Sequence, residues 1–154
     1  MEIKRLTANL YADRIEDCVA FWVDRLQFEK TVEVPGEGGL VFAAVQKGAI
    51  ELMYGTWASL EKDLGGTGAY QRGTSFLFVE VDDIAAAHAA MKDVPMIAAR
   101  HNTFYGAREF TVADPAGHLI TFAQFAPSSG RSLAVAARQH SQFTEPRTQV
   151  SGAF

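Results

Sequence analysis

Arg108, Phe110 and Val112 alternate with Glu109, Thr111 and Ala113, the two-residue period of a half-buried strand. Asp114-Pro115-Ala116-Gly117 then punctuates the chain, since proline presets the turn φ and glycine accepts a positive one. His118–Phe125 resumes as a second strand, so Arg108–Phe125 reads as an antiparallel hairpin that needs a partner sheet.

The same reading extends upstream. Ile3–Tyr11 is a strand, with Leu6, Ala8 and Leu10 on one face and Thr7, Asn9 and Tyr11 on the other. Asp13 and Glu16 have the spacing of a capping box. Behind them Ile15, Cys18, Val19, Trp22 and Leu26 recur at helical spacing as one apolar stripe. Strands follow near Glu29–Val34, Leu40–Gln46 and Ala49–Tyr54, separated by glycine turns. In the connector, Ser59–Leu64 is a short helix stopped by Gly65.

The order then begins again. Ser75–Val81 is a strand, Asp82 or Asp83 a cap, and Ile84, Ala87, His88 and Met91 a helical stripe. Pro95–Arg100 is a weaker strand before the hairpin. The fold class is therefore α+β: two paired βαβββ modules forming one curved mixed sheet with a central cleft, helices outside. The modules span residues 1–54 and 75–125, with a connector at 55–74. The extension at 126–154 is rich in Ser, Gln and Thr, and is read as flexible or as packing across a dimer.

Composition narrows the function classes. The chain has 154 residues, 48% hydrophobic and 21% charged, enough for a core of its own. A net charge of −4 argues against a nucleic-acid partner. No apolar run reaches the length of a membrane span, so no membrane partner is expected and the cytoplasm is the default location. The single cysteine, Cys18, excludes an intramolecular disulfide and is placed in the core.

Three stretches carry a resemblance: AFWVDRLQF (Ala20–Phe28), AIELMYG (Ala49–Gly55) and GAREFTVADPAGHLITF (Gly106–Phe122). Over Leu6–Phe125 the chain resembles the vicinal oxygen chelate superfamily of glyoxalase I, extradiol dioxygenases and bleomycin-resistance proteins. The wording of the first and third stretches is most similar to the bleomycin-binding proteins. Metalloenzymes of that family take one ligand from each of four strands. Carried onto this sequence, those positions are Thr7, Glu51, Phe76 and Thr121. One carboxylate beside a phenylalanine and two threonines is a poor donor set for a divalent ion. The resemblance therefore implies a site with no metal and no cofactor.

Thr7, Asn9, Glu51, Met53, Trp57, Phe76, Phe78, Phe104, Tyr105 and Thr121 are the candidate ligand-binding residues. Aromatic rings beside a few polar groups suit a flat, partly polar molecule. Ordinary core or dimer packing is the competing explanation for the rings, and a salt-bridged position on a sheet face is the one for Glu51. His88 is read as packing, His118 as exposed after its turn, and His101 as a loop residue; His140 lies in the tail. Arg108 and Glu109 are read as an exposed pair, for which the resemblance offers a placement near the cleft mouth. The expected function is metal-free capture of a small aromatic or glycopeptide-like molecule by a homodimer, with no catalytic residue. The alternative is a glyoxalase- or dioxygenase-like lyase or isomerase, either metal-dependent or using Glu51 as a base.

Overall fold

The computed structural model describes residues 1–66, 68 and 70–127. The extension beyond Pro127, including His140, lies outside the described residues. Two four-stranded mixed sheets and three helices make an α+β architecture among the described residues. The first module runs β1 (Ala8–Ala12), α1 (Glu16–Leu26), β2 (Glu29–Gly36), β3 (Gly39–Lys47) and β4 (Ile50–Thr56). After α2 (Trp57–Asp63), the second repeats it as β5 (Phe76–Glu80), α3 (Ile84–Ala90), β6 (Met96–Asn102), β7 (Ala107–Ala113) and β8 (Leu119–Phe125).

Each module pairs its strands identically. The orders are β1-β4-β3-β2 and β5-β8-β7-β6, with the first strand parallel to the last and the remaining pairs antiparallel. Among the described residues no ladder joins β1 to β5, and the two four-stranded sheets are consistent with the expected pairing of two modules into a curved sheet. The link is instead a side chain. His118 reaches the Tyr11 carbonyl at 2.8 Å through Nε2 and accepts the Ser75 backbone N–H at 3.0 Å through Nδ1. It is 2% exposed, which corrects its expected surface position.

One core serves both modules. Trp22, Tyr54, Phe110, Ile120 and Phe122 are all buried within a single apolar cluster. α1 packs on β3, α3 packs on β7 and β8, and the two helices touch. Cys18 is buried as expected, and burial, reinforced by Asp114, pushes its thiol up to about 12. Through the cluster runs a polar relay: Trp22 Nε1 donates to Tyr54 Oη at 2.8 Å, and Tyr54 Oη donates to Asp114 Oδ2 at 2.8 Å. Asp114 Oδ1 also accepts the N–H groups of Ala116 and His118, which fixes the β7–β8 turn. Gly117 takes φ 84° there, as the turn requires. Tyr54→Phe leaves the indole N–H and the buried carboxylate each short of a partner. It should lower unfolding free energy by about 1–3 kcal/mol, read from urea midpoints at constant m.

Helix starts separate legible from misleading signals. Asp83 caps α3, accepting from Ala85 and Ala86 N–H at 3.0 Å. The capping box at Asp13 and Glu16 does not form. Ile15 occupies the cap position of α1 without a side-chain bond, and Asp13 pairs with Arg72. Glu16 turns to the Leu40 N–H at 2.8 Å, which holds its carboxyl below the usual range. Likewise β1 begins only at Ala8, with Leu6 exposed ahead of it. α2 opens at Trp57, ahead of the expected start at Ser59, and its cap Thr56 accepts from Ser59 N–H. β6 extends to Asn102, so His101 is a strand residue.

Candidate functional site

Residues that do not face α1 and α3 form an open face on each sheet. Register sets their rows. On the first sheet one row is Tyr11, Gly55, Phe42 and Val34, and the next is Asn9, Met53, Ala44 and Val32. Gly55 is required: a Cβ there would lie 2.8 Å from the Tyr11 ring. Tyr11 stacks on Trp57 with centroids 5.2 Å apart, and Trp57 stacks on Tyr70 at 5.8 Å. Arg72 lies over the Trp57 ring at 5.5 Å and pairs with Asp13 and Glu61. Asn9 Nδ2 donates to Tyr11 Oη at 2.8 Å.

Glu51 stands on this face, bonded to the segment that precedes β1. Its Oε1 accepts from Arg5 Nη1 at 3.1 Å and from Thr7 Oγ1 at 3.2 Å. The carboxylate therefore has a cation of its own chain beside it.

On the second sheet Phe78 lies opposite Thr121, and Phe76 opposite Leu119. Thr121 and Thr111 share a hydroxyl hydrogen bond of 2.8 Å across β8 and β7. Phe76 is 75% exposed, Phe78 40% and Phe104 69%, large values for such rings. Tyr105 meets Phe104 edge-on at 4.9 Å and lies 6.3 Å from Phe125.

Glu109 overturns the expectation of an exposed pair. It is 6% exposed on the open face, where it accepts a hydrogen bond from the Tyr105 hydroxyl. Burial, then the Glu109 contact, pushes that hydroxyl up to about 12, so it stays a donor. Arg108 alone matches the expectation, exposed on the other face and bonded to Gln124 Oε1 at 2.8 Å. Alternation with Phe110 was the sequence signal for Glu109's face. His88, on the α3 stripe, is exposed at its edge but meets the Phe110 ring at 5.1 Å.

The predicted residues thus fall into two groups. Thr7 and Glu51 are bonded to each other, with Asn9 and Met53 in the next row and Trp57 beyond them. Phe78 and Thr121 face each other beside Phe76, and Phe104 and Tyr105 flank the far end. No hydrogen bond joins Thr7, Asn9 or Glu51 to Phe76, Phe78 or Thr121 among the described residues. No three His, Cys, Asp or Glu side chains gather to hold a metal among the described residues. A groove of about 500 Å³ lies on the helix side, lined by Phe21, Arg25, Val94 and Pro95 among others, and includes none of the predicted residues. No helix of the described residues is long and apolar enough to cross a membrane.

Comparison with known proteins sets this geometry in a family. No curated protein matches the chain. TioX from Micromonospora sp. ML1 superposes with TM-score 0.65 at 17% identity, over 80% of this chain and all of that one. Lactoylglutathione lyase from Agrobacterium tumefaciens gives 0.64 at 18%, over 80% and 94%. The bleomycin-binding protein of Streptomyces verticillus, complexed with copper(II)-bleomycin, gives 0.55 at 26%, over 82% and 98%. The pattern defining the Glyoxalase/Bleomycin resistance protein/Dioxygenase superfamily fits residues 3–122. Over most of its length, the chain belongs to that superfamily.

Proposed function

We propose that the protein captures a small molecule bearing flat aromatic rings on its open faces, without a metal and without changing a bond. The observation that carries this reading is the uncovered ring surface of Phe76 and Phe78 beside the paired hydroxyls of Thr111 and Thr121. Rings of this kind gain from stacking and burial, while the hydroxyls orient a polar edge. The likeness to a bleomycin-binding protein supports the same class of activity. Val32 and Val34 are also exposed on the first sheet's open face. A second copy of the chain turned onto this apolar surface would enclose the ligand, so the binding unit is a homodimer.

The donor chemistry does not fit the metal that other members of the superfamily use. Of Thr7, Glu51, Phe76 and Thr121, only Glu51 is a strong ligand, and Arg5 already neutralises it. Thr121 is occupied by Thr111.

Fluorescence titration with polycyclic aromatic ligands tests the reading, since Trp57 is half-buried beside the open face. Saturation should be reached with and without EDTA at the same Kd. Binding lost to EDTA and restored by Zn or Mn would favour the lyase-type alternative, whose structural relative is the lactoylglutathione lyase.

A further inference from the structure

We propose that Tyr70 and Arg72 form an autoinhibitory lid over Trp57, and that a flat aromatic cation opens the site by displacing them. This rests on the aromatic capture proposed above and specifies what the ligand displaces. Two rings and a guanidinium already lie on the Trp57 indole. Tyr11 stacks on it at 5.2 Å and belongs to β1, on the open face itself. Tyr70 lies within 4° of parallel to the indole with centroids 5.8 Å apart, and the Arg72 guanidinium sits 5.5 Å from the ring centre. The connector has thus laid a planar ring and a planar cation on a candidate ligand-binding tryptophan.

The lid is held by contacts that a ligand can exchange. Arg72 reaches Asp13 at 3.4 Å and Glu61 at 3.9 Å, and all three side chains are exposed, so each pair contributes little. Gln71–Thr74 are exposed, and no backbone hydrogen bond ties Tyr70–Thr74 to either sheet among the described residues. A Cβ at Gly65, Gly66 or Gly73 would meet nothing within 4 Å, so the segment is flanked by open space. Ser75 is the fixed end, since its N–H donates to His118 Nδ1 and its carbonyl accepts from Leu119 N–H. Tyr70 and Arg72 can therefore swing away while β5 stays in place. One ring stack, one exposed cation–ring contact and two surface ion pairs, less the entropy of ordering the segment, favour the closed arrangement by about tenfold.

The occupants also define what competes with them. A heteroaromatic cation carries the ring surface of Tyr70 and the positive charge of Arg72 in one rigid body, which loses less freedom on seating than two side chains do. Glu61 lies four residues after Trp57 on α2, so both share one helix face. Once Arg72 leaves, Asp13 and Glu61 meet the charge of the ligand instead, and the number of charge pairs is unchanged. Asp63 adds negative charge near the Tyr11 hydroxyl, which burial and then Asp63 push up. A neutral ring would leave these acids without a counter-charge.

Equilibrium dialysis of the full chain with N-methylacridinium at neutral pH tests the lid. Removing it raises the fraction of molecules with an open seat, so Tyr70→Ala/Arg72→Ala should bind the dye about tenfold tighter than wild type. Tyr70→Phe keeps the ring and should stay within about twofold of wild type. Trp57→Ala added to the double variant should cancel the gain. Circular dichroism establishes that each variant is folded, and Arg72→Ala alone, expected to bind about threefold tighter, carries the test if the double variant is not. Equal or weaker binding by the folded variants, or a gain that survives Trp57→Ala, overturns the lid while dye capture stands. Absence of saturable dye binding by wild type and variants alike overturns the aromatic-capture reading with it.

Discussion

Trp22→Ala is expected to lower the free energy of unfolding by about 3–5 kcal/mol, a large share of the ~5–15 kcal/mol typical of a domain. Trp22 is 1% exposed and meets Phe21 and Phe28 edge-on at 5.7 and 5.1 Å. Its removal opens a cavity where α1 packs, and it also deprives Tyr54 of its indole donor. Tyr54 is held by Asp114 of the second module, so the loss should reach both modules in one cooperative transition. Urea unfolding followed by far-ultraviolet circular dichroism measures it. A midpoint shift worth less than about 1 kcal/mol would mean that this cluster does not hold the modules together.

Phe76→Ala should separate binding from stability. Its ring is so exposed that truncation is expected to change folding free energy by no more than about 0.5 kcal/mol. Loss of one stacking partner should weaken capture of a polycyclic ligand about tenfold or more, taking the ~1–3 kcal/mol per stacked base found in other proteins as the scale. Calorimetric titration beside a thermal melt reads both quantities on one preparation. Unchanged affinity would remove Phe76 from the site, and a large fall in Tm would make it a packing residue instead.

Element order was legible because its signals are local. Alternation located β7 and β8, helical spacing located α1 and α3, and of the two expected caps, Asp82 or Asp83, it is Asp83 that forms the bond. The signals failed where a distant group competed. The Leu40 N–H, 24 residues away, takes the Glu16 carboxylate from the capping box. His118 is buried because it bonds Tyr11, 107 positions earlier, which no turn pattern announces. The site shows the same division. Glu51 was read as a position on a sheet face, while Arg5 as its partner is a contact across 46 residues. Glu109 was misplaced for a similar reason. Its alternation with Phe110 was visible, but its burial depends on how the preceding loop sets Tyr105 against it.

Capture without reaction is tested most directly by affinity selection with mass-spectrometric readout. Purified protein is incubated with a mixed library of aromatic and aliphatic small molecules, separated from unbound material, and denatured to release what it held. The retained compounds should carry flat aromatic rings and emerge at unchanged mass, with no new species accumulating in the unbound fraction. Retention without preference for aromatic rings, or steady formation of a product of altered mass, would contradict capture of an aromatic molecule without reaction.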